Sequence, residues 1–136
     1  MEERKVKNVY LSLKVTGREA EAMQEAIKVR ALLEKSQVNW NVMTPFQMLD
    51  AFRVARDHKD DKPEIEAQLR RHGVDSLWVE CMEACIRGML LCDMVVMVGD
   101  WRDSHGARIE KFVAEELGME VMEWYDDKLH YMVDDE

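Results

Sequence analysis

The chain has few cysteines, and their arrangement excludes two common classes of small domain. Only three occur in 136 residues, at Cys81, Cys85 and Cys92. No histidine or fourth cysteine falls at zinc-ligand spacing from them, and an odd number leaves one thiol unpaired. We therefore predict neither a disulfide framework nor a metal site, and expect no cofactor. The three cysteines are interpreted as small buried residues of a cytoplasmic protein.

Long apolar runs and positive charge are also scarce. No run approaches the roughly 20 residues of a membrane-spanning helix, and the charged N-terminus does not resemble a secretory signal. Lysine and arginine number 19 against 28 acidic residues, giving a net charge of −9. This balance argues against a nucleic acid polymer or a membrane as partner, because phosphate backbones need basic faces. A small anionic ligand stays open, since a local site can oppose the overall charge.

The stretch around which we expect one domain, residues 1–136, to be organised spans residues 90–110. Its apolar run Met94–Val98 predicts a strand buried on both faces. A polar loop then leads into a helix with a stop at Gly118. The apolar stripe of this helix, identified by its spacing, comprises Ile109, Phe112, Val113 and Leu117. A strand that delivers a Ser/Gly loop into a helix is a common small-ligand site in α/β proteins.

Glu110 lies in the first or second turn of this predicted helix. One interpretation is a charge that complements the helix dipole, and the other is a catalytic carboxylate facing the ligand crevice. Spacing alone favours the first interpretation.

The rest of the pattern alternates strands and helices. We predict a flavodoxin- or Rossmann-like α/β sandwich of three layers with a mostly parallel sheet of four or five strands. The predicted strands are residues 6–13, Trp40–Met43, 94–98, 119–123 and an edge strand at 129–133. The predicted helices are residues 18–35, 46–56, 64–72, a helix from Asp75 or Ser76 to residue 91, and the helix after the central loop, with a solvated loop at 58–63.

Several motifs resemble the nucleoside 2-deoxyribosyltransferase superfamily, and most closely a small phage and bacterial family within it. The strongest is residues 99–110, Gly-Asp-Trp-Arg-Asp-Ser-His-Gly-Ala-Arg-Ile-Glu. Others are Tyr-Leu-Ser at 10–12, Thr-Gly at 16–17, Trp78 with Met82, Leu-Leu-Cys-Asp at 90–93, and Ala114 with Leu-Gly at 117–118. The resemblance covers about residues 7–123, apart from a variable helical insert at 46–74. An acidic tail at 124–136 follows the region of resemblance.

The resemblance implies roles for particular side chains. Glu110 would be the nucleophile that attacks the anomeric carbon of a nucleoside or nucleotide, and Tyr10 would orient its carboxylate. A second group of residues would bind the substrate: Ser12, Asp93, Trp101, Ser104, Gly106 and Ala107.

The Ser-x-Gly motif at 104–106 also resembles nucleoside 5′-monophosphate N-glycosidases. Transferases that act on free nucleosides tend to carry an aspartate at the position of Ser104. A neutral hydroxyl beside helix N–H groups accepts a phosphate that an aspartate would repel, so the resemblance favours a nucleotide over a nucleoside. A plain helix N-cap remains the other interpretation of Ser104.

Two departures from the superfamily pattern keep other functions open. Leu13 and Lys14 replace the Gly-Pro of its first turn, and Cys85 stands where active members carry an aspartate. The alternatives are therefore a nucleotide-binding or sensor module without turnover, and a phage-type interaction protein on the same fold.

We also expect a homo-oligomer, most simply a dimer. Members of the superfamily build their sites near subunit interfaces. Four apolar residues are interpreted as surplus to so small a core: Trp78, Met82, Met89 and Trp124. The helix at residues 75–91 is the candidate interface.

Overall fold

The computed structural model describes residues 5–51, 63–73 and 76–132. Within them the strands are β1 (Lys7–Ser12), β2 (Trp40–Met43), β3 (Met94–Val98), β4 (Glu120–Tyr125) and β5 (Lys128–Tyr131). The helices are α1 (Glu19–Ser36), α2 (Pro45–Ala51), α3 (Pro63–Arg71), α4 (Ser76–Leu90) and α5 (His105–Glu116), with a short 3-10 helix at Trp101–Asp103.

The five strands form one sheet in the order β2-β1-β3-β4-β5. The pairs β1–β2, β1–β3 and β3–β4 are parallel, and β5 returns antiparallel along β4. This is the flavodoxin-like order, and it confirms the predicted fold class. Every residue of β3 is buried, which confirms the prediction of a central strand covered on both faces.

The sheet separates two hydrophobic cores. One lies under α1, where Ala22, Ala26, Val29 and Leu33 pack on the strands. The other lies under α2, α4 and α5 and includes Tyr10 and Met97. In β1 the polar residues Tyr10 and Ser12 alternate with aliphatic ones and point to the opposite face of the sheet. Because helices cover both faces, Tyr10 and Ser12 are as fully buried as the aliphatic residues.

The apolar stripe predicted for α5 faces the core only at Val113, which packs against the second core, so that expectation is wrong for its other three residues. Ile109, Phe112 and Leu117 are 40%, 64% and 59% exposed. The buried face of α5 consists instead of Ala107, Glu110 and Ala114. Two alanines let the helix backbone approach the sheet closely, which brings the Glu110 side chain down onto β1.

Element boundaries differ from the predictions by a few residues. The predicted helix at 46–56 is described as α2 as far as Ala51, and the rest of it lies outside the described residues. Residues 58–62 of the predicted loop lie outside the described residues. Asp75, one of the two predicted starts of the helix that ends at residue 91, also lies outside them. The edge strand is present as β5, although Val133 lies outside the described range.

Two of the four apolar residues interpreted as surplus belong to the core of a single chain. Met89 is fully buried and Trp124 is 8% exposed, so neither is free for a partner. Trp78 and Met82 are partly buried beside a cavity. These positions do not show whether the chain dimerises, and the dimer stays a prediction. Among the described helices, none has the length and apolar character needed to cross a membrane.

Candidate functional site

The strand order of the sheet reverses between β1 and β3. The chain continues from β1 to β2 on one side of this point, and from β3 to β4 on the other side. Open α/β sheets bind ligands outside the carboxyl ends of their strands at such a point. A cavity of about 650 Å³ lies there. Its lining comes from β1 and the following loop (Tyr10, Leu13, Val15, Thr16), α1 (Glu19, Ala20, Met23), α2 (Pro45, Phe46, Leu49), α4 (Leu77, Trp78, Cys81, Met82, Cys85) and the start of α5 (Ser104, Gly106, Ala107, Glu110).

Glu110 is the buried acidic side chain on the wall of this cavity. The Tyr10 hydroxyl donates a hydrogen bond of 2.6 Å to its Oε2, and the Ser12 hydroxyl donates one of 2.7 Å to its Oε1. All three side chains are buried. The predicted proximity of Glu110 to Tyr10 is thus confirmed. A charge that only complements the helix dipole would need neither burial nor two dedicated donors, so the dipole interpretation does not account for this geometry.

Burial and hydrogen bonding act on Glu110 in opposite directions. Burial raises the pKa of the Glu110 carboxyl and the bonds from Tyr10 and Ser12 lower it, and together they leave it raised from 4.5 to about 7. Burial, followed by the charge of Glu110, also holds the pKa of Tyr10 well above its usual value. Tyr10 therefore stays a protonated donor, and Glu110 is poised between its acid and its carboxylate near neutral pH.

Cys85 lies on the same wall, 7% exposed. Burial first, and the charge of Glu110 next, raise the pKa of its thiol to about 12. The Cys85 side chain is therefore a neutral thiol, which cannot supply a second carboxylate to the site.

The beginning of α5 borders the cavity. Ser104 is its N-cap and accepts a hydrogen bond of 3.1 Å from the Ala107 backbone N–H. Gly106 lies so near α4 that a Cβ atom there would approach Met82 Sδ to 2.9 Å. The glycine thus keeps backbone N–H groups of the first turn close to the cavity, where they favour an anion.

Three of the predicted substrate-binding residues lie elsewhere. Ser12 is not part of the cavity lining and reaches the site only through Glu110. Trp101 is 5% exposed and directs its ring N–H to Glu123 on β4. Asp93 precedes β3, at the opposite edge of the sheet, and its Oδ2 accepts a bond of 2.8 Å from the Asn8 backbone N–H. The other predicted residues, Ser104, Gly106 and Ala107, do line the cavity.

Sequence reasoning missed the walls supplied by α1 and α2. Thr16, Glu19 and Met23 form one of them, and Phe46 and Leu49 another. A signal was present: α2 follows the carboxyl end of β2, and the carboxyl ends of parallel strands share one edge of the sheet. Together with Trp78, Phe46 gives the cavity a largely apolar interior suited to a flat ring.

The described residues contain no group of three or more His, Cys, Asp or Glu side chains that could hold a metal ion. The described cavity walls also include no lysine or arginine, whereas Glu19 and Glu110 are acidic. Any anionic part of a ligand would therefore depend on hydroxyl and backbone N–H donors in these walls.

A family model described as Domain of unknown function (DUF4406) matches residues 7–123. The match covers most of the chain, which therefore belongs to this family. No curated protein and no solved structure matches the chain.

Proposed function

We propose that this member of the DUF4406 family cleaves or transfers the N-glycosidic bond of a nucleoside 5′-monophosphate, with Glu110 as the nucleophile. One observation carries the proposal: a buried carboxyl, held by Tyr10 and Ser12, opens onto a cavity at the carboxyl edge of the sheet. The resemblance of residues 99–110 to the nucleoside 2-deoxyribosyltransferase superfamily supports the same assignment.

The chemistry follows from the hydrogen bonds. Tyr10 and Ser12 fix the plane of the Glu110 carboxylate, while each oxygen retains a further lone pair. One oxygen forms a bond to the anomeric carbon as the bond to the base breaks, and the base leaves with that electron pair. The carboxylate offsets the positive charge that develops on the sugar. Water or an acceptor nucleobase then attacks the same carbon and releases Glu110 as a carboxylate.

The proposed substrate orientation uses the polarity of the walls. The base lies against the apolar walls that include Phe46 and Trp78, and the sugar lies over Glu110. The 5′-phosphate lies at the start of α5, beside Ser104 and the Gly106 backbone. A hydroxyl and helix N–H groups can bind a phosphate without a lysine or arginine, although with less affinity than a cation would give.

A second candidate function is nucleotide binding without turnover. The observation that favours it is the neutral Cys85 thiol, because glycosidases usually employ a second carboxyl to protonate the leaving group. Among the described cavity residues the other carboxyl is Glu19, which is exposed on α1. On this account the same cavity acts as a sensor.

A panel experiment separates the two candidates. The protein is incubated with each common nucleoside 5′-monophosphate and its matching nucleoside, in ribose and 2-deoxyribose forms, and free base is measured by chromatography while binding is measured by calorimetry. Base release from a nucleotide supports the enzyme. Binding without release supports the sensor, and the absence of both would contradict each proposal.

A further inference from the structure

Glu123 on β4 is a buried acidic residue that the proposed reaction does not use. Its exposed fraction is 7%. Oε1 of Glu123 accepts a hydrogen bond of 3.3 Å from Trp101 Nε1 and one of 2.8 Å from Arg102 Nη1. The Arg102 guanidinium also lies over the Trp101 ring, 4.4 Å from its centroid. A buried carboxylate is costly to leave unpaired, so these contacts fix the segment that carries Trp101 and Arg102 against β4.

Glu123 occupies the same row of the sheet as Ser12. The register pairs Ser12 with Met97 and Met97 with Glu123, and paired residues of parallel strands face the same side. From β1, Ser12 holds α5 at Glu110. From β4, two strands away, Glu123 holds the segment that enters α5. The helix that carries Glu110 is therefore tied to the sheet from both sides of the central strand.

The connection from Trp101 to the cavity is short. The 3-10 helix Trp101–Asp103 ends at Ser104, which caps α5 through Ala107 and lines the cavity. Glu110 follows on the buried face of the same helix. A shift in the entry segment would therefore move the N-cap and, through the helix, the carboxyl that Tyr10 and Ser12 hold.

We infer that Glu123 is a positioning residue, which through Trp101 and Arg102 fixes the start of α5 and so aligns Glu110 with the ligand cavity. The effect on turnover rests on the proposed function, whereas the alignment of Glu110 rests on the contacts themselves. Trp101, which sequence reasoning placed against the substrate, belongs to this support and not to the cavity wall.

The test uses Trp101→Phe, which keeps an aromatic ring but removes the N–H donor, and Glu123→Gln, which removes the charge that holds Arg102. Glu120→Gln is the matched control, because it removes one charge from the same strand at an exposed ion pair with Lys7. Each variant is assayed for base release, and the Glu110 carboxyl is titrated by ¹³C NMR. The titration needs no turnover.

In both test variants we expect kcat to fall about tenfold or more, because misplacement of Glu110 affects the reacting geometry. The Glu110 titration should move to higher pH as the bonds from Tyr10 and Ser12 loosen. Glu120→Gln should match the wild type in every readout.

The outcomes separate failure of this inference from failure of the proposed function. A wild type that releases no base contradicts the enzyme, and the Glu110 titration then decides the positioning role alone. Folded variants in which Glu110 titrates as in the wild type overturn the inference, even if their melting temperatures fall. If Trp101→Phe does not fold, Glu123→Gln decides the positioning role by the same criteria.

Discussion

The hydroxyl of Tyr10 lies 2.6 Å from Oε2 of Glu110, although 100 positions separate these residues in the chain. The contact joins β1 to α5 across the second core of the molecule. It is a buried polar pair that the fold must satisfy, and in the proposed reaction it prepares the carboxyl for nucleophilic attack.

Replacing Tyr10 by Phe should raise the pKa of Glu110 further above about 7, because one of the two bonds that lower it is removed. A hydrogen bond to a charged group is worth about 1.5–3 kcal/mol. We therefore expect base release at pH 7 to fall roughly tenfold to hundredfold. The measurement is the pH profile of kcat/KM. Tyr125→Phe is the control, since that exposed ring stacks on His130 away from the cavity, and an equal loss in both variants would contradict the role of Tyr10.

The pH dependence of folding stability should reflect the ionisation of the Glu110 carboxyl. Its pKa is raised from 4.5 to about 7 in the folded protein, so the folded state favours the protonated form. The cost of a buried charge is absent below pH 4.5, grows as the pH rises, and reaches roughly 3 kcal/mol above pH 7. Glu110→Gln is neutral throughout. The melting temperature of Glu110→Gln should match that of the wild type near pH 4.5 and exceed it near pH 8. If the melting temperatures of the two proteins differ by the same amount at every pH, the raised pKa of Glu110 is contradicted.

The predictability of this site from sequence has a physical limit. The local sequence pattern was enough to locate β3, the loop after it and Glu110. A buried strand and the start of a helix each have a characteristic pattern within a few consecutive residues. The local pattern could not give the orientation of α5. Hydrophobic spacing selected Ile109 and Phe112, whereas the packed face uses alanines that carry little hydrophobic signal.

The same limit explains Trp101 and Asp93. The resemblance placed both beside the substrate, but side-chain direction depends on contacts between distant segments. Trp101 directs its polar edge to Glu123, and Asp93 accepts a bond from the backbone of Asn8. The burial of Glu123 could have been predicted from the sequence of β4. Glu123 lies two residues after the apolar Val121, and residues at this spacing in a strand share one face.

Replacing Ser104 by Asp should discriminate against nucleotides. Aspartate is as good an N-cap as serine, so α5 should remain intact. Its charge should oppose a 5′-phosphate by about 1 kcal/mol or more, which raises the Kd for nucleotides about fivefold or more. Free nucleosides should be affected less. Calorimetry with matched pairs is the measurement, and equal weakening for both ligands would place the phosphate elsewhere.

Two glycines that border methionines should respond differently to alanine. A Cβ on Gly106 would press on Met82, which lines the cavity, so we expect weaker ligand binding with little loss of stability. A Cβ on Gly88 would come within 2.0 Å of Sδ of Met48, which is buried. Such overpacking costs about 1–3 kcal/mol, so Gly88→Ala should lower the free energy of unfolding. Thermal melts and calorimetry on both variants check the contrast, and a reversed pattern would contradict the described packing.

The rate of base release by Glu110→Gln tests the central claim most directly. Glutamine keeps the shape of the side chain and can hydrogen-bond to Tyr10 and Ser12, but it cannot attack the anomeric carbon as a carboxylate. With the nucleoside 5′-monophosphate that the wild type cleaves best, at pH 8, we predict a loss of at least about a thousandfold with the Kd changed less than about threefold. Base release by Glu110→Gln at the wild-type rate would contradict the assignment of Glu110 as the nucleophile.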